Sequence, residues 1–310
     1  YDVIIVGTGA AGLFAALHLP LSSSVLMLTK DELENSDSYL AQGGICNLLN
    51  QEDFPCYYED TLKAGRYENN PEAVTDMIRA SNRIIRELLD YGVNFDRDSH
   101  GCLSYTREGG HSRPRILHHQ DVTGKEIVTT LIDRVKERPN LTILEHTTMI
   151  DLLQDGSTCT GVVIRDGRGA AIPCCSKAVI LATGGLGGLF QHSTNFPHIS
   201  GDSFAIALRR GIHLENIHYI QIHPTVLYSR KPGRRFLITE SVRGEGAKLL
   251  NEDQERFVDE LLPRDVVAEA IRREMQAFGT DHVYLSFRDI SVDEIMNHFT
   301  PLYQRCMEEG

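Results

Sequence analysis

The sequence predicts an α/β fold built around a parallel sheet, and two stretches carry that prediction. Residues 3–6 (VIIV) are four apolar residues in a row, as expected of a strand buried on both faces of such a sheet. A G-x-G-x-x-G run follows at residues 7–12, and an apolar helix is predicted over residues 13–19. Residues 177–188 (KAVILATGGLGG) are a second buried strand that runs into glycines. Both glycine runs are therefore expected at the carboxyl edge of one sheet.

The first glycine run has the composition of a dinucleotide-binding turn. Gly7 permits the tight turn, Gly9 leaves space for a phosphate, and Gly12 lets the helix approach the strand closely. The first amides of the helix would then face a pyrophosphate. The alternative is an ordinary glycine-rich turn without a ligand.

The second predicted strand, residues 24–29, ends at Lys30. A nucleotide-binding strand often ends here in Asp or Glu, which binds the ribose hydroxyls, so Lys30 argues against simple NAD binding. The lysine could neutralise a phosphate, bond a ribose or lie on the surface. Residues 34–45 (ENSDSYLAQGGI) then predict a polar loop that offers hydroxyls and amides to a ligand.

Further elements follow in order. Asn70 and Pro71 begin a helix that Gly92 ends, with its inward face formed by Val74, Met77, Ile78, Ile84, Ile85, Leu88 and Leu89. A second helix is predicted over residues 124–138, with strands near 141–145, 149–153 and 159–165. Asp202 begins a helix that Gly211 ends. The Asp202 side chain could cap this helix or bind a ribose.

Two regions concentrate polar residues that could carry chemistry. Residues 104–119 surround a glycine pair with charged side chains, which is either a solvated surface or a ligand-binding loop. From about residue 217, charged residues lie among apolar ones. Burying a charged side chain costs free energy unless the charge is paired or has a functional role. We therefore predict a first domain over residues 1–216 and a second over 217–310. The second holds His223, Thr239, Glu240, Arg243, Glu245 and Arg264. It also contains a predicted helix that begins at Pro263 and a last predicted helix over residues 292–307. The inward face of the first of these helices is formed by Val266, Val267, Ala270, Ile271 and Met275.

Composition excludes several classes of protein. The formal charge of −12 argues against nucleic acid or an anionic membrane as a partner. Seven cysteines without a C-x-x-C pair favour reduced thiols over disulfides or a zinc site, and hence a cytoplasmic location. We expect no metal, no membrane span and no signal peptide.

Taken together, these motifs resemble the succinate dehydrogenase/fumarate reductase flavoprotein family. The matching runs are VIIVGTGAAG, LAQGGI, TREGGHSRPRILH, AVILATGG, SGDSFAIA, QIHPTVLY, FLITESVRGEGA and LLPRDVVA. The resemblance implies a Rossmann-like FAD-binding domain with an inserted α+β capping domain that is incomplete in this chain. It also implies FAD as the cofactor.

Two positions distinguish members of that family. Respiratory members bond FAD covalently through a His in the loop before A-Q-G-G, where this chain has Asp37, so the resemblance implies non-covalent FAD. Those members also carry an apolar residue before the later G-G, where this chain has Glu108. A carboxylate there can pair with the ammonium of L-aspartate, which succinate and fumarate lack. The resemblance therefore implies the aspartate-oxidising branch, with a soluble fumarate reductase or succinate dehydrogenase type of flavoprotein as the alternative.

The resemblance also implies roles for individual residues. His223 and Thr239 correspond to substrate carboxylate binders, and Glu108 to the ligand of the amino group. Arg264 corresponds to the catalytic arginine, with Glu240 and Arg243 as a proton relay. The implied FAD contacts are Gly7, Thr8, Gly9, Ala10, Ala11, Gly12, Lys30, Asp37, Ser38, Tyr39, Leu40, Ala41, Gln42, Gly43, Gly44, Thr148, Met149 and Asp202.

The implied reaction oxidises L-aspartate to iminoaspartate, with O2 (giving H2O2) or fumarate as electron acceptor. It is the first step of NAD synthesis through quinolinate, so functional coupling to quinolinate synthase is expected. The family's H-Y-x-x-G-G and S-N-S-L-L-E-type motifs do not occur before residue 310. A further alternative is therefore a catalytically incompetent fragment that binds FAD weakly.

Overall fold

The computed structural model describes residues 1–309, apart from the side chains of residues 297 and 298. In chain order the elements are β1 (Val3–Val6), α1 (Ala10–His18), β2 (Val25–Leu28), α2 (Asp37–Leu40), β3 (Ile45–Cys46), α3 (Phe54–Ala64), α4 (Pro71–Tyr91), β4 (Tyr105–Thr106), β5 (Ile116–Leu117), α5 (Thr123–Lys136), β6 (Leu141–Leu144), β7 (Thr148–Asp155), β8 (Thr158–Arg165), β9 (Ala171–Cys175), β10 (Ala178–Leu181), α6 (Asp202–Arg209), α7 (Ser241–Gly244), β11 (Lys248–Leu250), α8 (Arg264–Phe278), β12 (Tyr284–Ser286), α9 (Val292–His298) and α10 (Thr300–Glu309).

The chain forms two compact units, each built from two separate stretches. The first unit combines Tyr1–Ala41 with Gly124–Tyr219, and the second combines Gln42–Thr123 with the residues from Ile220 on. The predicted boundary after residue 216 lies close to the last change of unit. Residues 42–123 were expected in the first domain but group with the second unit. The functional division into an FAD-binding domain and a capping domain remains a prediction.

The first unit contains the predicted parallel sheet. Its strand order is β10-β1-β2-β6, and every neighbouring pair is parallel. Ile4, Ile5 and Leu26 are at most 1% exposed, which confirms a central strand pair buried on both faces. Helix α1 begins at Ala10, three residues earlier than predicted, because Gly9 in extended conformation is its N-cap.

An antiparallel sheet of order β7-β8-β9 completes the strands of the first unit. The predicted strands near 149–153 and 159–165 are confirmed as β7 and β8. Strand β9 was not predicted, because Pro173 at its centre argues against a strand. It pairs with β8 alone among the described strands, and this edge position tolerates a residue without an amide hydrogen.

In the second unit the long helix α4 has the ends that the sequence predicts. The Asn70 side chain accepts hydrogen bonds from the amides of Glu72 and Ala73, at 3.0 and 3.1 Å. Gly92 ends the helix in the left-handed region, with φ of +107°. The predicted inward face is wrong at Met77, which is 50% exposed.

Other parts of the second unit differ from the prediction. Helix α3 was not predicted. Helix α8 follows Pro263 as expected, but Val266 is 37% exposed, whereas Val267 is fully buried. The helix expected over residues 292–307 is interrupted at Phe299, so that α9 and α10 are separate. Within the described part of the chain, no helix combines the length and apolar character that crossing a membrane requires.

Candidate functional site

A cavity of about 450 Å³ lies in the first unit at the carboxyl edge of the parallel sheet. The last residues of three adjacent strands line it: Val6 of β1, Leu28 of β2 and Leu181 of β10. Ligands bind at this edge in open parallel sheets, because the loops that follow the strands converge there. The two glycine runs meet at this cavity, as the sequence predicts.

The glycines at residues 7–12 are required by close packing. Gly7 has φ of +110°, and a Cβ there would lie 2.1 Å from the carbonyl oxygen of Ala182. A Cβ at Gly12 would lie 2.0 Å from the carbonyl oxygen of Gly7. A Cβ at Gly9 would meet only the Ser38 hydroxyl, at 3.1 Å. The roles predicted for Gly7 in the turn and for Gly12 in helix–strand contact are therefore confirmed.

Part of the predicted polar loop is the short helix α2, which the sequence did not indicate. The Ser38 hydroxyl accepts a hydrogen bond from the Ala10 amide at 3.1 Å, so α2 is fastened to the first turn of α1. The Asp37 carboxylate accepts from the Phe196 amide at 3.0 Å and from the Asn195 side chain. Asp37 thus holds a neighbouring loop in place.

Lys30 and Asp202, both implied FAD contacts, form an ion pair with each other. Lys30 Nζ lies 2.8 Å from Asp202 Oδ2, and it donates to the Ser200 hydroxyl at 3.1 Å. Burial opposes ionisation of Asp202, but hydrogen bonds from Lys30 and Ser200 hold the pKa of its carboxyl below the ordinary value. The cavity wall therefore carries a cation beside an anion, which suits a phosphate next to a ribose.

The structure divides the implied FAD contacts into three groups. The first group lines the cavity, namely Gly7, Thr8, Gly9, Ala11, Lys30, Asp37, Ser38, Met149 and Asp202. The second lies in the first unit without lining it, namely Ala10, Gly12, Tyr39, Leu40, Ala41 and Thr148. The third belongs to the second unit, namely Gln42, Gly43 and Gly44.

Thr148 lies between two residues that line the cavity. Thr147 and Met149 line the cavity, whereas Thr148 between them does not. Side chains alternate between the two faces of extended chain, so only every second residue can face a ligand. Thr147 is therefore a lining residue that the sequence did not single out.

The cavity has the parts that the phosphates of a dinucleotide need. The amides of Ala11 and Gly12 lie in the first turn of α1, where a helix has no carbonyl to accept them. Gly9 adds no side chain in front of that turn, and Lys30 supplies a cation. The residues of the first unit thus fit FAD.

The second unit contains a cluster of charged residues centred on Glu240. Glu240 Oε2 accepts a hydrogen bond from Arg264 Nε at 2.7 Å. Glu240 Oε1 lies 3.6 Å from Nη2 of Arg243, whose side chain is 1% exposed. Arg264 also donates from Nη1 to the Gln221 side chain at 2.7 Å. One carboxylate therefore links two guanidinium groups, as the implied relay requires.

Glu108 lies close to this cluster. A Cβ on neighbouring Gly109 would lie 2.5 Å from Glu240 Oε1, and a Cβ on Gly43 would lie 3.1 Å from Glu108 Oε1. Burial raises the pKa of the Glu108 carboxyl, and the negative charge of Glu240 adds to this effect. The glycines thus let the backbone approach two carboxylates closely.

His223 and Thr239 have buried, polar surroundings in the same unit. Burial and the charge of Arg264 together lower the pKa of His223 to about 4, so the ring is neutral at pH 7. His223 Nδ1 lies 3.2 Å from the Thr225 amide nitrogen and 3.0 Å from the Thr225 carbonyl oxygen. It accepts from the amide when the ring proton is on Nε2, and it donates to the carbonyl when the proton is on Nδ1. The Thr239 hydroxyl donates to the Ser241 hydroxyl at 3.4 Å. Burial raises the pKa of Asp121, a residue that the sequence did not single out, to about 6, and the Thr239 side chain opposes this shift.

Comparison with known proteins identifies the family. The family model described as an FAD binding domain matches residues 2–309. The L-aspartate oxidase of Clostridium perfringens is 46% identical over 311 residues, which cover the whole chain and 70% of that protein. The chain belongs to the L-aspartate oxidase family of FAD-binding proteins.

Two further comparisons agree with this family. The L-aspartate oxidase of Clostridium acetobutylicum is 46% identical over 310 residues, covering the whole chain and 71% of that protein. An E. coli quinol fumarate reductase has a TM-score of 0.90 at 25% identity, covering 98% of this chain and 56% of its own. The family resemblance and the expected fold class are therefore confirmed, and this member of the family spans little more than half of the solved chain.

Several residues in the two sites escaped the sequence analysis. Gln221 and Ser200 each lie within two residues of a candidate, and Asp121 lies two residues before Thr123, the first residue of α5. Among the described side chains, which are those of residues 1–296 and 299–309, no group of three or more His, Cys, Asp and Glu could hold a metal ion.

Proposed function

We propose that this chain carries out the FAD-dependent oxidation of L-aspartate to iminoaspartate. The observation that carries the proposal is Glu108, a half-buried carboxylate beside the Glu240, Arg243 and Arg264 cluster. An amino dicarboxylate such as L-aspartate differs from succinate by one ammonium group. The Glu108 carboxylate, which lies near two arginines, provides the anion that would pair with this ammonium. The 46% identity to two clostridial L-aspartate oxidases supports the same substrate.

The first unit would hold FAD without a covalent bond. The amides of α1 and Gly9 would receive the pyrophosphate, and the Lys30–Asp202 pair would contact phosphate and ribose. Asp37 supports the non-covalent mode, because its carboxylate is already engaged by Phe196 and Asn195. The bound flavin would supply the acceptor for the hydride that leaves Cα of the substrate.

The second unit would bind and orient the two carboxylates of the substrate. In the tautomer whose Nδ1 accepts from the Thr225 amide, neutral His223 can donate from Nε2. Thr239 can donate from its hydroxyl. Arg264 is held on two sides by Glu240 and Gln221, so its guanidinium group is fixed before a substrate arrives. Such preorganisation lowers the entropic cost of placing the Cα–H bond for hydride transfer.

Fumarate reduction needs a proton donor, and the same cluster would supply one. Arg264 would donate to the substrate carbon and recover a proton along Glu240 and Arg243, the implied relay. Burial lowers the pKa of Arg243, which makes this guanidinium a better donor than an exposed one.

Anaerobic reduction of the bound flavin tests the proposed activity. Adding L-aspartate to the FAD-loaded protein should bleach the visible flavin band, whereas succinate should leave it unchanged. Bleaching by succinate but not by L-aspartate would contradict the proposal.

A variant of Glu108 tests the residue that carries the proposal. Glu108→Gln keeps the size of the side chain but removes the charge that would pair with the ammonium. The loss of one charge-assisted contact, worth about 1.5–3 kcal/mol, should lower kcat/KM for L-aspartate by roughly 10- to 150-fold. Fumarate reduction should change much less. Equal losses in both reactions would show that Glu108 does not select for the ammonium.

A soluble fumarate reductase is the second candidate function. The likeness to an E. coli quinol fumarate reductase favours it, because the pairing of Glu240 with two arginines suits that reaction equally well. It would be preferred if Glu108→Leu left all activities unchanged.

We further propose that the reaction begins NAD synthesis through quinolinate. O2 or fumarate would reoxidise the flavin, and functional coupling to quinolinate synthase would remove the unstable imine. The free state of all seven cysteines supports a reducing, cytoplasmic location.

A further inference from the structure

The loop at residues 108–112 begins with Glu108, the residue that carries the proposed function. Gly109 and Gly110 follow it and have no side chain to pack against neighbours. Both line a cavity of about 460 Å³ in the second unit, whose wall also includes residues of α3 and α4. Apolar packing therefore does little to fix this loop, and its position depends on polar contacts.

The Asp60 carboxylate of α3 holds the far end of this loop. Its Oδ2 accepts from the Ser112 amide at 2.8 Å and from the Ser112 hydroxyl at 2.7 Å. The same oxygen accepts from Arg115 Nη1 at 2.6 Å. Burial opposes ionisation of Asp60, but the hydrogen bonds from Ser112 and Arg115 hold the pKa of its carboxyl below the ordinary value. Asp60 is therefore a charged acceptor at neutral pH.

His111 is the second attachment point of the loop. Its Nδ1 lies 3.2 Å from Arg115 Nη1. A guanidinium group only donates, so Nδ1 accepts and the proton of the neutral ring is on Nε2. Nε2 then donates to Cys46 Sγ of β3 at 3.7 Å. Burial and the charge of Arg115 lower the pKa of His111, which favours this neutral form.

One face of α3 holds Arg115 beneath these attachment points. Asp53, Tyr57 and Asp60 follow one another at spacings of four and three residues, which places side chains on the same face of a helix. Arg115 Nη2 lies 2.8 Å from Asp53 Oδ1, and the guanidinium carbon lies 5.0 Å from the centre of the Tyr57 ring. Because Arg115 is fully buried and contacts all three residues, the loop is attached to a well-defined part of the core.

The near end of the loop carries the Glu108 carboxylate. The His111 amide donates to the Glu108 carbonyl oxygen at 3.2 Å, so a turn connects Glu108 to the attached residues. A Cβ on Gly43 would lie 3.1 Å from Glu108 Oε1, and a Cβ on Gly109 would lie 2.5 Å from Glu240 Oε1. A shift of this turn would therefore move Glu108 relative to both neighbours.

We propose that Asp60 is a positioning residue for Glu108, and that it supports the preference for a substrate with an ammonium group by holding the loop at residues 108–112. The inference rests on the proposed function, which assigns the ammonium to Glu108. Asp60 acts through Ser112 and the turn, without contact to the substrate. Such a role has a measurable effect, because a misplacement of about 1 Å in a site that orients a substrate can cost about 100-fold in rate.

A double-mutant cycle between Asp60 and Glu108 tests the proposal. Asp60→Ala removes three accepted hydrogen bonds, and kcat/KM of the holoenzyme for L-aspartate should fall by about tenfold or more. Glu108→Gln should cause its own loss of roughly 10- to 150-fold. The two losses should not multiply in the double variant, because Asp60 acts through the carboxylate that Glu108→Gln has already neutralised.

Three further variants complete the experiment. Glu59→Ala is the matched control, because Glu59 adjoins Asp60 in α3 but is exposed and accepts from the Tyr67 hydroxyl at 2.6 Å; its kcat/KM should stay close to that of the wild type. Asp60→Asn keeps an acceptor oxygen and should recover part of the activity. Ser112→Ala removes one of the hydrogen bonds at an exposed residue, and it should give a smaller loss that again does not multiply with that of Glu108→Gln.

FAD content and circular dichroism establish that each variant is folded and loaded. If Asp60→Ala fails to retain FAD, the cycle of Ser112→Ala with Glu108→Gln decides the question. Three results would overturn the positioning role: an unchanged kcat/KM in Asp60→Ala, losses that multiply in the double variant, or an equal loss in Glu59→Ala. All three leave the proposed function standing. An unchanged kcat/KM for L-aspartate in Glu108→Gln would remove the assignment of the ammonium as well.

Discussion

Replacing Arg115 should destabilise the second unit more than any other single change of a charged residue in its α3 region. The Arg115 side chain is fully buried and donates to Asp53 from Nη2 at 2.8 Å and from Nε at 3.2 Å. It also donates from Nη1 to Asp60 at 2.6 Å. Asp53 is fully buried too, so Arg115→Met would leave its carboxylate with only the half-exposed Arg113, 3.8 Å away, as a cation.

The expected magnitude follows from this burial. Breaking a buried ion pair by removing one partner costs about 3–5 kcal/mol, because the remaining charge is uncompensated. Natural domains have only about 5–15 kcal/mol of stability, so the variant should be near the limit of folding. Urea unfolding followed by circular dichroism measures the change in the free energy of unfolding.

Arg113 offers a matched control at the same carboxylate. Its Nε lies 3.8 Å from Asp53 Oδ1, but its side chain is 44% exposed. Exposed ion pairs contribute about 0–1 kcal/mol, so Arg113→Met should change stability by less than that. The reasoning is refuted if Arg115→Met costs under about 1 kcal/mol, or if the two variants are equally unstable.

Three further predictions concern the FAD-binding cavity. Gly12→Ala should abolish retention of FAD, because the new Cβ would lie 2.0 Å from the carbonyl oxygen of Gly7 in the preceding turn. The measurement is the amount of flavin per protein after gel filtration. The control variant Gly167→Ala should retain FAD, because its Cβ would have no neighbour nearer than 3.9 Å. Lys30→Met should weaken FAD binding by at least about tenfold in a fluorescence titration. The control variant Lys177→Met replaces a lysine that is 83% exposed, and it should leave FAD binding unchanged. The pKa of Asp202 is lower in the folded state, so its carboxylate stabilises the fold at pH values above its unfolded pKa of about 3.9, and this stabilisation is lost as the pH falls through the folded pKa. The acid-unfolding curve of Lys30→Met should therefore be less steep than that of the wild type. An identical curve would contradict the pairing of Lys30 with Asp202.

The sequence predicted well those features that depend on neighbours along the chain. The apolar run in β1, the glycines that follow it and the Asn70 cap of α4 each need only local conformation or a few adjacent residues. The structure confirms all three. Periodicity was less reliable at Met77 and Val266, which lie on predicted inward faces but are exposed, because a pattern cannot show how far a partner element extends.

Contacts between distant residues were beyond the reach of the sequence. Lys30 and Asp202 were singled out separately, but their ion pair joins residues far apart in the chain. Residues 42–123 were placed in the first domain and pack with the second unit, since no break in composition marks where the chain crosses between units. Strand β9 was missed because a central proline is acceptable only at a sheet edge, and edge position is a tertiary property.

The sequence by itself thus determined the strand–turn–helix of the dinucleotide site and, through Glu108 and Arg264, the chemistry that we propose for the second unit. Both features depend on residue type and spacing, which can be read directly from the sequence. Only the tertiary structure decided which charges neutralise each other. Glu240 lies between both arginines, at 2.7 Å from Arg264 and 3.6 Å from Arg243. Burial, which no spacing reveals, raises the pKa of the nearby Glu108 carboxyl.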